Sequence, residues 1–175
     1  ASIWKPGLML IASDLGFRDQ ARRHFDSFAA ADFELPADAK RAVTLTYFSE
    51  VCAALGDIER AERLTELLHP YRDVNLLMSP SVCCGSTRHY LGMLAATLKD
   101  WTSAEEHFRE ALAFNERLRA WPRLAWTRLE YARMLLARDR NGDSVLADEL
   151  RVMAVAAAER MGMGTLLQRH ATLKI

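Results

Sequence analysis

Apolar residues recur at helical spacing between Arg88 and Leu118, and this pattern predicts two amphipathic helices joined by a tight turn. The first stripe is formed by Leu91, Leu94, Ala95 and Leu98, and the second by Ala104, Phe108, Ala111 and Leu112. Between them, Lys99 and Asp100 break the pattern, and the T-x-x-E run from Thr102 to Glu105 predicts a capping box with Thr102 at the helix start. Neither helix can bury its stripe alone, so the pair must pack against neighbouring pairs.

The same unit recurs along the chain, with a small residue marking each second helix. These residues are Ala21, Ala61, Ala104 and Ala147, at intervals of 40, 43 and 43 residues. A turn precedes each of them, at Gly16, Gly56, Asp100 and Asn141-Gly142. A near-constant interval is typical of a helical repeat array. The sequence therefore predicts one all-α domain over residues 1–175, built as an α-solenoid of four antiparallel helix pairs at about 3–30, 39–70, 83–119 and 122–161, followed by a tail at 162–175.

One stretch, from Tyr71 to Val82, lacks this pattern and is predicted to be irregular. Its Leu76-Leu77-Met78 run is too apolar for a free loop, so we expect it to tuck against the core. Sustained alternation of apolar and polar residues is not found along the chain, which argues against strands.

Charge and composition exclude several classes of function. The chain carries 23 basic and 23 acidic residues in mixed order, so there is no basic stripe for nucleic acid or for an anionic membrane. No run approaches the roughly 20 apolar residues that a membrane-spanning helix needs. Three cysteines, two of them adjacent, make a poor disulfide framework and favour the cytoplasm. The helical pattern at Ala1 predicts that the chain is a segment of a longer protein.

The third pair resembles a tetratricopeptide repeat. The resemblance is carried by Leu91-Gly92, Trp101, Ala104, Phe108 and Ala111, which keep the order and spacing of that motif. The second pair departs from it with Thr65 in place of an aromatic, and the period exceeds the usual repeat length, so the helices would be long. The resemblance implies a right-handed superhelix whose concave face, lined by the first helix of each pair, is the recognition surface.

A narrower resemblance is to the carboxy-terminal repeat regions of bacterial STAND-type signalling ATPases, which are coupled to nucleotidyl cyclase or helix-turn-helix outputs. It rests on the runs EVCAALGD, LLHPYRD, RHYLGMLAATLKDW, ALAFNERL, YARMLLARD and ERMGM. This resemblance implies a regulatory segment in signal transduction, with any ATPase or cyclase activity located elsewhere in the parent protein.

Motifs that carry chemistry are few. The sequence has no G-x-x-x-x-G-K, no G-x-G-x-x-G and no H-E-x-x-H, and its five histidines are scattered. Cys83 and Cys84, with Cys52 and His89, could form a metal or redox site, but buried small hydrophobes are the favoured interpretation. The nearby aromatics Trp101, Trp121, Trp126 and Tyr131 could line a ligand box, although packing between helices is favoured. We therefore predict no enzyme activity, no cofactor and no metal.

The predicted functional surface is the concave face. Placing the register of the third pair on the other copies assigns to it Tyr47, Glu50, His89, Met93, Glu130 and Arg133. Mixed charge with aromatic residues suits a peptide or a partner helix, so a protein-interaction or regulatory module is predicted. Two alternatives remain open: a structural spacer or oligomerisation segment, and a sensor that binds a small-molecule effector. The predicted partners are a protein, neighbouring domains of the parent chain or a second copy, and neither nucleic acid nor membrane.

Overall fold

The computed structural model describes residues 5–38, 40–79 and 82–171, and these residues are mostly helical. The helices are α1 (Lys5–Asp14), α2 (Arg18–Ala29), α3 (Arg41–Leu55), α4 (Ile58–Leu68), α5 (Thr87–Thr97), α6 (Trp101–Arg117), α7 (Trp121–Arg138), α8 (Asp143–Met161) and α9 (Gly164–Ala171). A 3₁₀ turn (His69–Tyr71) and two strands, β1 (Asn75–Ser79) and β2 (Val82–Ser86), separate α4 from α5. The all-α class is confirmed, with one short hairpin as the exception.

Helices pack as pairs and the pairs pack on one another. Each of α1, α3, α5 and α7 contacts the helix that follows it, and α1 with α3, α3 with α5, and α5 with α7 are also in contact. Gly92 is a point of close approach within its pair, because a Cβ built there would lie 3.0 Å from the ring of Phe108. That close packing is what the absence of a side chain at Gly92 predicts.

Three of the turns within pairs share one geometry. Gly16, Gly56 and Lys99 each have a left-handed backbone, with φ of 80°, 66° and 60°. The amide of the following residue then donates to a carbonyl five residues back, as in Phe17 to Ala12 at 2.8 Å and Asp100 to Ala95 at 2.9 Å. This is the Schellman end of a helix, which recurs with the repeat. The turn between α7 and α8 is longer and has left-handed residues at Asp139 and Gly142.

The predicted capping box at Thr102 is wrong. Asp100 is the N-cap residue of α6, and its side chain accepts from the Ser103 amide at 3.2 Å and from the Ser103 hydroxyl at 2.6 Å. Thr102 lies inside the helix, and Glu105 instead accepts from Arg138 Nη1 at 2.5 Å. A carboxylate placed one residue before the helix competes well with a hydroxyl for the same orphan amides.

The irregular interval is also only partly as predicted, because it contains an antiparallel hairpin. Leu76 of β1 and Cys84 of β2 are buried against Ala42 and Val43 of α3, whereas Leu77 and Met78 are exposed. Two irregularities in the strand register interrupt the alternation that would identify strands in a sequence. Only one residue of the apolar run therefore tucks against the core.

The short helix α9 packs at the end of the last helix pair. Leu166 anchors it, fully buried in a small cluster with Ala125, Leu129 and Ala154 of α7 and α8. From there, Arg169 reaches the opposite end of the array and donates to Asp14 of α1 at 2.6 Å. The end of the array is thereby folded back over the first helices of the pairs. Within the described ranges, no helix combines the length and the apolar character needed to cross a membrane.

Candidate functional site

A cavity of about 400 Å³ lies beneath α9 and is walled by the first helices of all four pairs. An adjoining cavity of about 460 Å³ shares five of its lining residues and extends towards the turn at Gly16. The first cavity is lined by Leu10 and Asp14 of α1, Glu50 of α3, His89 and Met93 of α5, Arg123, Trp126 and Glu130 of α7, and residues of α9 and its preceding turn, including Arg169.

Four of the six residues predicted for the concave face meet in this cavity: Glu50, His89, Met93 and Glu130. Arg133 lines the adjoining cavity. Tyr47 lines neither of them, and its hydroxyl donates to the sulfur of Met78 in the hairpin. The repeat register thus brings most of the predicted residues together, although it does not show what they bind.

The concave-face prediction lacks four charged or aromatic residues of this cavity, although the sequence offers Trp126 as part of an aromatic ligand box. Arg123 and Trp126 precede Glu130 by seven and four positions, so helical spacing places them on the same side of α7 and could have identified them. Asp14 and Arg169 lie at opposite ends of the chain, and nothing local in the sequence connects them.

Some of the charges in the cavity are satisfied by one another. Arg169 donates to Asp14 at 2.6 Å and to Glu130 at 3.4 Å, and its guanidinium lies 4.8 Å from the centre of the Trp126 ring. Arg133 also donates to Glu130, at 3.3 Å. These contacts hold α9 in place and leave Glu130 with two cationic partners.

Two other charges lack such partners. Within the described parts of the chain, the Glu50 carboxylate makes no hydrogen bond or ion pair. Arg123 forms no ion pair with a described acid, and its Nε donates to the Cys83 carbonyl at 3.3 Å. A cation and an anion that face one cavity without direct contact leave room for a water or a ligand between them.

Burial changes the proton affinity of Glu50. It raises the pKa of the Glu50 carboxyl to about 7, mainly because the charged form is poorly solvated; Arg123 and Arg169 oppose that rise, while Asp14 and Glu130 add to it. Glu50 is therefore an acid poised to change charge near neutral pH.

His89 is shifted in the opposite direction. Burial, assisted by Arg123 and Arg169, lowers the pKa of its imidazole to about 3, so the ring is neutral at physiological pH. Its side chain is only 5% exposed, and its Nδ1 has no hydrogen-bond partner among the described residues. A neutral imidazole offers one donor and one acceptor, and adds no charge to the cavity.

The other candidate sites do not assemble. Cys52 and Cys84 are buried, whereas Cys83 is exposed. Burial raises the pKa of the Cys52 thiol to about 12, opposite to what a reactive cysteine needs. No group of three or more His, Cys, Asp and Glu side chains that could hold a metal occurs in the described ranges. The aromatic residues also separate: Tyr131 stacks on Phe108, Trp121 is exposed, and Trp126 faces the cavity.

Comparison with models of known protein families gives no match for this chain. Comparisons with curated proteins and with solved structures give no significant similarity either. Any functional conclusion therefore rests on the chemistry of the cavity and on the motif resemblances described above.

Proposed function

We propose that the chain is a non-catalytic recognition module, a regulatory segment of a larger signalling protein, and that it binds an effector in the cavity beneath α9. The single observation that carries this proposal is that Glu50 and Arg123 line one cavity and that neither has a direct ionic partner among the described residues. The resemblance to the repeat regions of signalling ATPases supports the regulatory role.

Energetics favour recognition over a purely structural role for this site. A charge removed from water costs several kcal/mol unless it is paired or changes its protonation state. Residues that only stabilise a fold are expected to be paired, as Arg169 is with Asp14 and Glu130. Perturbed acids that collect in a cleft are candidates for function for this reason.

The position of α9 favours a small effector over the extended peptide suggested by an open concave face. An extended peptide that ran along the first helices would meet α9 and would have to break the contact between Arg169 and Asp14. A small molecule fits beneath α9 without that cost, since cavities of roughly 300 to 1,000 Å³ commonly hold such ligands.

A structural or oligomerisation role is the second candidate, and it is supported by exposed apolar residues on α8 and α1. Val145, Val152 and Met153 of α8 are exposed, as are Leu8 and Ile11 of α1. Val145 and Val152 are seven positions apart and Leu8 and Ile11 are three apart, so each pair lies on one side of its helix. Such apolar faces are of the kind that neighbouring helices cover in repeat arrays.

A screen for stabilisation tests the proposal. We expect at least one member of a metabolite and short-peptide library to raise the melting temperature of the wild-type chain, and to lose that effect in Arg123→Gln and Glu50→Gln. Arg109→Gln and Glu106→Gln, on the exposed side of α6, are matched controls that should respond as wild type. Mass spectrometry should recover the ligand unchanged, because no turnover is expected.

Two results would reject the proposal in favour of other roles. If no library member stabilises the chain and light scattering shows a tight dimer, the oligomerisation role replaces recognition. A ligand whose effect survives both cavity substitutions would place recognition elsewhere. As a further check, Arg133→Glu should weaken binding without unfolding the chain, because Arg133 lines the adjoining cavity and supports Glu130.

A further inference from the structure

We propose that the cavity beneath α9 is built for a small zwitterion, with a ligand ammonium on Glu50 and a ligand carboxylate on Arg123. This inference rests on the proposed function and names the chemical class of the effector. It follows from the charges that the protein leaves unpaired, from the apolar wall between helices, and from the size of the cavity.

Some charged residues of the cavity are paired and others are not. Asp14, Glu130 and Arg169 are held by one another, at 2.6 Å and 3.4 Å from Arg169. The remaining charged residues of the cavity are one acid and one base, Glu50 of α3 and Arg123 of α7, which line the same space. A ligand that satisfies both must carry both signs, with the order of its charges complementary to theirs.

The side chains of Arg123 and Glu50 each suit one end of a zwitterion. Arg123 presents a planar guanidinium, which matches the two oxygens of a carboxylate. Glu50 presents two carboxyl oxygens, which accept from an ammonium when ionised. His89 stays neutral, so it can hydrogen-bond to a polar ligand without repelling the ammonium.

Apart from Thr165, the remaining side chains of the cavity wall are apolar. Leu10, Met93, Trp126 and Leu166 line the same cavity. Met93 is flexible and polarisable, so it adapts to side chains of different shape. At about 400 Å³ the cavity has room for an amino acid or a dipeptide with an apolar side chain, and not for a folded partner.

Ligands whose charges all have one sign are less complementary to the cavity than a zwitterion. A dicarboxylate would place its second charge near Glu50, Asp14 or Glu130, all of which line the cavity. A simple amine would leave the guanidinium of Arg123 desolvated and unpaired. The ionisable groups that line this cavity and the adjoining one together with Glu50 come from five other helices: Asp14 of α1, Arg18 of α2, His89 of α5, Arg123, Glu130 and Arg133 of α7, and Arg169 of α9.

Titration calorimetry with matched probes tests the inference. The probes are L-leucine, L-methionine, L-phenylalanine and the dipeptide Leu-Leu, each with its decarboxylated amine and its deaminated acid. We expect at least one zwitterion to bind about tenfold or more tightly than either of its singly charged analogues, because each analogue leaves one half-buried charge unpaired.

Reciprocal effects of two substitutions identify the orientation. Arg123→Gln should weaken binding of the zwitterion by about thirtyfold or more and leave the amine unaffected. Glu50→Gln should weaken the zwitterion and leave the acid unaffected. The matched controls Arg109→Gln and Glu106→Gln should bind as wild type, and circular dichroism should show that all four variants are folded.

Dependence on pH gives an independent readout. Because the ammonium binds the ionised form of Glu50, affinity for the zwitterion should rise about tenfold from about pH 6 to about pH 8, and Glu50→Gln should abolish that rise. The ammonium of a free amino acid stays protonated over this range, so with the three amino-acid probes the change reports the protein; the dipeptide, whose α-amino pKa is roughly 7.7 to 8.0, is not used for this measurement.

Each failure has a separate meaning. If no probe binds, or if the amine or the acid binds as tightly as the zwitterion, the zwitterion inference is overturned. The proposed function survives that result only if a library ligand of another class depends on Glu50 and Arg123. If such a ligand is also not found, the recognition role falls together with the inference.

Discussion

Two regions of the protein withdraw charged side chains from water, wholly or in part. In one region the charges have direct ionic partners, and in the other they do not. At the α7–α8 junction, formed by Arg138, Asp143 and Glu105, each charge has a direct partner: Arg138 donates to Asp143 at 2.9 Å and 2.7 Å and to Glu105 at 2.5 Å. In the cavity beneath α9, Glu50 and Arg123 interact electrostatically but make no direct contact.

The pKa directions express this difference. Hydrogen bonds from Arg138 hold the pKa of Asp143 and of Glu105 below their usual values, whereas burial raises the pKa of Glu50 to about 7. A carboxylate whose charge is stabilised by the fold contributes to the fold. A carboxylate whose ionised form is destabilised by the fold marks a place where a bound ligand can stabilise the charge instead.

The largest effect should come from breaking the α7–α8 junction. Arg138→Ala leaves Asp143 buried without its bidentate partner, so we expect the free energy of unfolding in urea to fall by about 3 to 5 kcal/mol. Arg138→Met with Asp143→Leu removes both charges and should recover a large part of that loss. If Arg138→Ala costs no more than an exposed substitution such as Arg109→Ala, the junction is not a structural ion pair.

Stability should depend on pH through the cavity more than on truncation of its side chains, and half-buried Glu50 and buried His89 should contribute with opposite signs. The folded-state pKa of Glu50 lies above its model value of 4.5, at about 7, so the folded chain keeps a proton that the unfolded chain has lost. Its contribution to stability therefore falls as pH rises through this interval, by up to about 3 kcal/mol.

His89 contributes with the other sign. Its folded-state pKa is lowered from 6.5 to about 3, so the unfolded chain binds a proton that the folded chain does not, and stability rises with pH in this interval. Urea denaturation between about pH 4.5 and about pH 6.5 should show a rising free energy in Glu50→Gln and a falling one in His89→Gln, relative to wild type. Identical pH profiles for the two variants would contradict the assigned shifts.

A smaller effect is expected from freeing α9. Arg169→Ala removes the contacts to Asp14 and Glu130, which are partly exposed ion pairs, so we expect a loss of about 1 kcal/mol in stability. Hydrogen exchange should accelerate in α9 and remain unchanged in α3 and α4, because the ion pairs of Arg169 hold the last helix in place. Uniform acceleration across all helices would show instead that Arg169 supports the whole array.

The smallest effect compares two capping residues. Asp100→Ala should cost about 1 kcal/mol, because the carboxylate accepts from the Ser103 amide at the start of α6. Thr102→Ala should cost less, since its hydroxyl does not cap that helix. Thermal denaturation of both variants checks the order, and the reverse order would restore the capping box predicted at Thr102.

Local signals made much of the fold predictable. The close contact at Gly92 and the left-handed turns at Gly16 and Gly56 follow from residues that lack a side chain and from apolar spacing nearby. The hairpin is not predictable from alternation because its register is irregular. The T-x-x-E motif predicts a cap at Thr102, but the Asp100 carboxylate lies directly before α6 and caps it.

The candidate site was only half predictable. Repeat register alone placed Glu50, His89, Met93 and Glu130 on a common face, and they line one cavity. Tyr47 was assigned to the same face, but it contacts the hairpin, whose position the register does not describe.

The sequence by itself determined the helical class and the face on which the polar residues of α3, α5 and α7 collect, because helical periodicity is a local property. Tertiary structure alone decided that α9 folds back across that face and joins Asp14 to Arg169, which are 155 residues apart. It also decided which charges remain unpaired, since pairing depends on distances between side chains from different helices. The protonation of Glu50 and His89 follows from that arrangement, because burial and neighbouring charges set a pKa and no local motif encodes them.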